Sequence, residues 1–461
     1  MTKTDFIQHL PRILAIIVLI SAGIMIWSCS GRKKSPGASG IGHPEWTRNA
    51  VIYEVNLRQY TPEGTFKAFE QHLPRLKAMG VDIVWLMPVN PIGIKNRKGT
   101  LGSYYSIKDY LGINPEFGTM ADFKALVKKI HKLGMYVIID WVANHSSWDN
   151  NLVTEHPEWY THDSTGRIIP PVPDWADVAD LNYDKKELRE YMTNALIYWV
   201  READVDGFRC DMAGMLPVSF WNEAVPKIKA IKPVFMLAEW ETPDMHDTAF
   251  DMTYSWEVFH LMNDIAQGKK TADLIDTLRI KEAAKFPADA YRMQFTTNHD
   301  ENSWNGTEYE RMGNAAKTFA VLTYTIPGMP LIYSGQESAF NRRLKFFDKD
   351  NIDWDGFPLA GFYTTLDKLK KENPSLANGI AGGEMIKVTS DNDHNIYSFL
   401  RKKDNNSVFV ILNLSPAEQK VTLKGNVYAG DYRDLFDNSA IHIDGQLAVD
   451  MKPWEYRVCY K

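Results

Sequence analysis

Gly207-Phe-Arg-Cys-Asp211 decides how this chain folds. The run that begins at Val205 is apolar and strand-like, and it ends on a carboxylate with an arginine two residues before it. Two further stretches repeat the pattern, Leu237-Ala-Glu239-Trp240 and Asn298-His-Asp300. Carboxylates at the carboxyl ends of successive parallel strands face one mouth once the sheet closes into a barrel. The three stretches therefore predict a (β/α)8 barrel with Asp211, Glu239 and Asp300 around its open end.

Outward from these stretches, strand-like and helix-like runs alternate. Strands are predicted over 51–55, 81–86, 136–140, 205–211, 234–239, 249–254, 292–297 and 329–333, and eight of them imply closure. Between the first two, Phe66, Phe69, Leu73 and Leu76 recur at helical spacing and Gly80 closes the helix. Pro74 inside that pattern predicts a break or a restart. Phe123, Leu126, Val127 and Ile130 form another helical face. The stretch 142–181, with Pro157, Pro170, Pro171 and Pro173, is too long for an ordinary connection and is read as a domain inserted after the third strand. After Pro374 the pattern turns to short alternating runs separated by turns such as Lys403-Asp-Asn-Asn406, which predicts a carboxyl-terminal antiparallel β-sandwich over 375–461. The catalytic barrel then spans 45–374.

The 461 residues, 44% hydrophobic and 24% charged, suit an elaborated barrel with an appended module. A net charge of −6 carries no footprint for nucleic acid. Cys210 alternates with Arg209 and Asp211 along its strand and is expected to be a buried free thiol. At the amino terminus, Lys3 and Arg12 precede an apolar run over 13–27 that meets Ser28-Cys29. The run is shorter than the roughly twenty residues of a spanning helix and fits a signal peptide, 1–29. A small residue before a cysteine is similar to a bacterial lipoprotein cleavage site, with Cys29 lipidated and 30–44 as a flexible tether. The chain is then expected outside the cytoplasm, anchored at a membrane. The basic run Arg32-Lys33-Lys34 points to the periplasmic side rather than the cell surface.

The chemistry follows from the side chains. Arg209 and Asp211, two apart on a strand, face the mouth together, and the guanidinium favours the ionised carboxylate a nucleophile needs. Glu239, beside Trp240, is expected in an apolar setting that raises its pKa and keeps it protonated as a general acid. Asp300, with His299 as neighbour, can hold sugar hydroxyls and support a developing positive charge. Two such carboxyls about 5–5.5 Å apart cleave a glycosidic bond with retention.

With Asp140-Trp-Val-Ala-Asn144-His145 and Thr297-Asn-His-Asp300 added to the strand-four and strand-five motifs, the chain resembles the α-amylase family of glycoside hydrolases from Glu45 onward. The resemblance implies Asp211 as nucleophile, Glu239 as acid/base, Asp300 as transition-state stabiliser and Arg209 as the group positioning Asp211. It also implies hydroxyl-binding roles for His145 and His299 and a stacking role for Tyr105. Asp140 is expected to orient Arg209. The implied substrate is an α-glucan or maltooligosaccharide joined by α-1,4 bonds. No cofactor is needed for the chemistry, but Asn144 matches the family's side-chain calcium ligand, with Asp163, Asp174 and Asp177 as candidate partners. The family's frequent Lys-His pair after the nucleophile is replaced by Met212-Ala-Gly-Met215. Two alternatives stay open: a transglycosylase or branching-type enzyme with the same triad, and a non-catalytic binding subunit.

Overall fold

The computed structural model describes residue 37 and residues 39–461. The signal-peptide and lipidation readings, Cys29 included, fall outside these residues. Eight parallel strands close into a barrel: Ile52–Val55, Ile83–Leu86, Tyr136–Trp141, Gly207–Cys210, Phe235–Ala238, Met252–Tyr254, Tyr291–Gln294 and Met329–Tyr333. Each pairs in parallel with its sequence neighbour among the eight, and Ile52 pairs with Leu331 to complete the ring. These are the strands expected from the sequence.

Strand alternation sorts the side chains into two sets. Ile52, Ile83, Trp85, Ile138, Leu237 and Met293 fill the barrel interior. Tyr53, Val84, Val137, Phe208 and Met236 pack outward in the larger core under the helices. Cys210 joins this outer set as a buried free thiol. The inward row continues upward into charged residues. Glu54 follows Ile52, Asp140 follows Ile138, and Glu239 follows Leu237, so the same period that builds the core delivers acids to the mouth. Gly207 opens the fourth strand because no side chain fits there: a Cβ would lie 1.9 Å from the Phe235 carbonyl oxygen, and its φ is +155°.

The helices follow the apolar spacing. Pro74 restarts a helix, Leu73–Met79, after the short Phe66–Glu70, because proline lacks the N–H an interior position needs. Met120–Lys132 begins with a reciprocal Thr119–Asp122 capping box and buries Phe123, Leu126, Val127 and Ile130. The insert after the third strand carries a small antiparallel pair, His145–Ser147 with Val178–Asp180. The carboxyl-terminal module is a six-stranded antiparallel sheet packed with a two-stranded one, Gln419–Thr422 with Ala448–Met451, around a core of Leu400, Phe409, Tyr428 and Met451. Residues 39–43 are pinned at the end of the barrel opposite the mouth, where Ser39 donates to the Asp289 carboxylate through both its amide (2.7 Å) and its hydroxyl (2.8 Å). Among the described residues no helix is long and apolar enough to cross a membrane.

Candidate active site

The mouth of the barrel opens into a cleft of about 630 Å³ whose lining includes Tyr105, His145, Asp211, Glu239 and Asp300. Arg209 lies beneath it, fully buried. Its Nη1 donates to Asp140 (2.9 Å) and to Asp211 (3.1 Å), and its Nε donates to the Tyr254 hydroxyl (3.2 Å). Its Nη2 sits 2.8 Å from Glu239 Oε1, an ion pair whose angle falls short of a hydrogen bond. The guanidinium is boxed by Trp85, Tyr105 and Tyr254, with ring centroids 5.2, 5.8 and 5.8 Å away. One cation thus fixes three carboxyls and faces three aromatic rings, an arrangement that needs the planar fork of arginine. Asp140 orients Arg209, as expected.

A second chain of contacts runs from the first strand. His299 places Nδ1 on Glu54, while its Nε2 donates to the Tyr105 hydroxyl (2.8 Å) and lies 3.1 Å from Asp300. The Tyr105 hydroxyl in turn donates to Asp140 (3.1 Å). Burial opposes a charge on His299, yet Asp300 and Glu54 on either side outweigh it and lift its pKa well above the ordinary imidazole value. Both acids thus favour the protonated, imidazolium form of His299. Burial alone would raise Asp300, but that imidazolium, Arg209 and the Trp304 indole hold its carboxyl below the usual range. His145 is the opposite case: burial drops its pKa to about 4, so it stays neutral. The Asn144 amide lies 3.3 Å from its Nδ1.

Two sequence expectations are corrected. Glu239 does not sit in an apolar pocket with Trp240. It accepts the Met212 amide (2.8 Å) beside Arg209, while Trp240 turns away and packs on Gly214, where a Cβ would lie 2.0 Å from the indole. Met212 adopts a left-handed φ of +43° to aim that amide. Asp211, expected to be held ionised by Arg209, is instead pushed well above the usual range, because burial and the neighbouring Glu239 outweigh the guanidinium. Burial likewise lifts Asp140 to about 6. The two ring nitrogens of His299 are engaged here by Glu54 on one side and by Tyr105 and Asp300 on the other.

Of the three carboxylates expected as partners of Asn144, two are engaged elsewhere. Asp163 is spent within its own turn on Thr165 and Arg167, and Asp177 pairs with Lys98 at 3.1 Å. Among the described residues no cluster of three or more ionisable metal ligands forms.

Sequence reasoning missed Glu54 and Trp304. Glu54 was legible in principle, since it shares the inward register of Ile52 and a carboxylate buried inside a barrel must find a partner. Trp304 lies in a π-helical turn, Glu301–Asn305, directly after Asp300. The wider turn lets its indole Nε1 donate to Asp300 Oδ1 (3.2 Å) while half its surface stays open to the cleft. Trp304→Phe keeps the flat face and loses the donor. Its kcat is expected to fall about tenfold with KM little changed, as befits a hydrogen bond to a charged group; steady-state kinetics on the maltooligosaccharide that the sequence resemblance implies checks this, and a change in KM alone would contradict it.

Fold and mouth together place the chain among (β/α)8 barrels whose acidic, aromatic-walled cleft is the architecture of barrel glycosidases. The chain belongs to the α-amylase family. Residues 34–169 and 172–355 match the α-amylase catalytic domain, and residues 387–456 match the α-amylase carboxyl-terminal all-β domain. It is similar to the crystal structure of an α-amylase from Lactobacillus plantarum, with 35% identity and a TM-score of 0.81 over 90% of this chain and 99% of that one. A maltogenic α-amylase from Thermotoga neapolitana is similar at 33% identity and the same TM-score, over 89% of this chain and 98% of that one. An α-amylase of Haloarcula japonica is 28% identical over 85% of this chain, which spans 60% of that relative's length.

Proposed function

We propose that the protein is a retaining glycoside hydrolase that cleaves α-1,4-glucosidic bonds in starch- or glycogen-derived oligosaccharides. The observation that carries this reading is that one buried guanidinium holds Asp211 and Glu239 side by side on the wall of a single cleft, with Asp300 beside them. In this reading Asp211 attacks the anomeric carbon as Glu239 protonates the departing glycosidic oxygen, giving a covalent glycosyl–enzyme. Glu239 then takes a proton from water, and that water releases the sugar. Arg209 keeps the two carboxyls in register. The His299 imidazolium holds Asp300 ionised, ready for sugar hydroxyls and the charge that develops on the ring. Neutral His145 lines the cleft, and the Tyr105 ring, stacked 24° from the His299 plane, forms part of its wall.

Incubation with maltooligosaccharides, followed by chromatography of the products, tests this: shorter sugars of α configuration are expected. Products longer than the substrate would favour glucosyl transfer by the same residues, and no reaction on any α-glucan would favour a binding subunit. The acid limb follows from Asp211. A nucleophile must be deprotonated, so kcat/KM falls below its raised pKa, and the limb is expected at a higher pH than an ordinary aspartate gives. A pH profile whose acid limb lies in the ordinary aspartate range would contradict it.

We also propose that Cys29 is the lipidated first residue of the mature chain, which is held at a membrane outside the cytoplasm. The charged start, the apolar run and Ser28-Cys29 support this. Mass spectrometry of the mature amino terminus tests it; an intact Met1 end overturns it.

A further inference from the structure

The loop after the second barrel strand is fastened to both walls of the cleft. On the insert side, Gly93 lies so close to Ser147 that a Cβ would come within 2.2 Å of its Cβ, and the Ile94 amide donates to the Asp149 carboxylate (3.0 Å). Lys98 Nζ then donates to the Asp174 carbonyl (2.6 Å) and pairs with Asp177 (3.1 Å). On the aromatic side, the Leu101 amide donates to the Phe347 carbonyl (2.9 Å), and Thr100 donates to Asp348 through its amide (2.9 Å) and hydroxyl (2.6 Å). Gly99, at φ +64°, presses its backbone on Phe347, where a Cβ would lie 2.4 Å from the Phe347 Cβ. Arg58, buried, donates to the Gly102 carbonyl (2.9 Å) at the loop's far end.

The cleft runs between these walls, with Trp175 and Asp177 on one side and Trp304, Phe346 and Phe347 on the other. Lys98 lines it too, and its ammonium stands 6.0 Å from the Phe347 ring centroid. An ion pair whose lysine is a third exposed would by itself be a weak strap. Here the pair closes a bar already held by backbone hydrogen bonds on both sides.

We propose that the 93–102 crossbar, with Lys98 as its closing contact, makes the cleft blind on that side, so that the enzyme admits an α-glucan by a chain end and cuts off short products. This rests on the hydrolase reading above and adds the mode of attack. A chain passing through its middle needs a groove open at both ends, and the crossbar removes one of them.

The test follows amylose digestion by iodine staining and by reducing ends together, with maltoheptaose free or blocked at either end as a second substrate. The native enzyme is expected to release many reducing ends before staining declines, and blocking one end of maltoheptaose is expected to stop the reaction. In Lys98→Ala the loss of staining per bond cut is expected to rise severalfold, the scale of one partly exposed ion pair, and an unchanged ratio overturns Lys98 as the closing contact. Early collapse of staining with the native enzyme, or equal cleavage of both blocked sugars and the free one, overturns the proposal while leaving hydrolysis intact. If free maltoheptaose itself survives, the hydrolase reading falls and takes this one with it.

Discussion

Asp211→Asn is expected to lower kcat on maltoheptaose by a factor on the order of 10⁴ to 10⁶, the scale at which a nucleophile is lost. The amide is nearly isosteric, so Arg209 keeps its contacts with Asp140 and Glu239 and the cleft keeps its shape. What disappears is the carboxylate proposed to form the glycosyl ester. The same substitution is expected to leave the fold intact and to raise the unfolding free energy by about 1 kcal/mol, as stabilising changes at strained sites do. Burial and the charge of Glu239 both oppose an ionised Asp211, so the native residue is held at a cost to stability. Initial rates and a thermal midpoint on the same preparation check both halves. A variant retaining a few per cent of native activity would remove Asp211 from the chemistry. A lower midpoint with full inactivation would mean that the carboxylate is structural as well.

The strands and their order were legible because each barrel strand is a short apolar run ended by a turn or a charge, and eight such runs alternate with helical ones. Asp211 and Glu239 were legible for a related reason: their parity on the strand matches that of the inward core residues below them, Arg209 and Leu237. Asp300 was legible only from its place after the seventh strand, since five residues of turn separate it from that strand's end. What the sequence concealed depends on distance along the chain. Glu54 meets His299 across 245 residues, and Lys98 meets Asp174 across 76. No local spacing encodes those encounters. The surroundings of Glu239 were misread because Trp240 was taken as its neighbour in space. Consecutive strand residues point to opposite faces, and Trp240 follows that rule by packing on Gly214. Trp304 escaped notice because a π-turn breaks the 3.6-residue period on which helical faces are read.

The second large effect belongs to Arg209. Arg209→Met is expected to reduce the unfolding free energy by about 3–5 kcal/mol at neutral pH, the penalty for stranding buried charge. Methionine fills the aromatic box of Trp85, Tyr105 and Tyr254, so packing is largely kept and the loss is electrostatic. Asp140, Asp211 and Glu239 would then share one nearby cation, His299, which reaches them only through Tyr105 and Asp300. The sign of the pH dependence follows. In the native fold burial already lifts Asp140 to about 6 and pushes Asp211 up, and removing the guanidinium raises both further. A carboxyl whose folded pKa exceeds its unfolded one favours the fold below the unfolded value and loses that contribution as pH rises through the folded value. The gap between native and variant is therefore expected to be small near pH 4 and to widen steadily toward pH 8. Arg209→Lys, which restores the charge without the fork, is expected to fall between the two in stability and to remain poorly active, because one ammonium cannot align both carboxyls. Urea denaturation of the three proteins at pH 4.5 and 7.5 measures this. A gap of equal size at both pH values would place the role of Arg209 in packing, and the charge-clamp account of the mouth would fall with it.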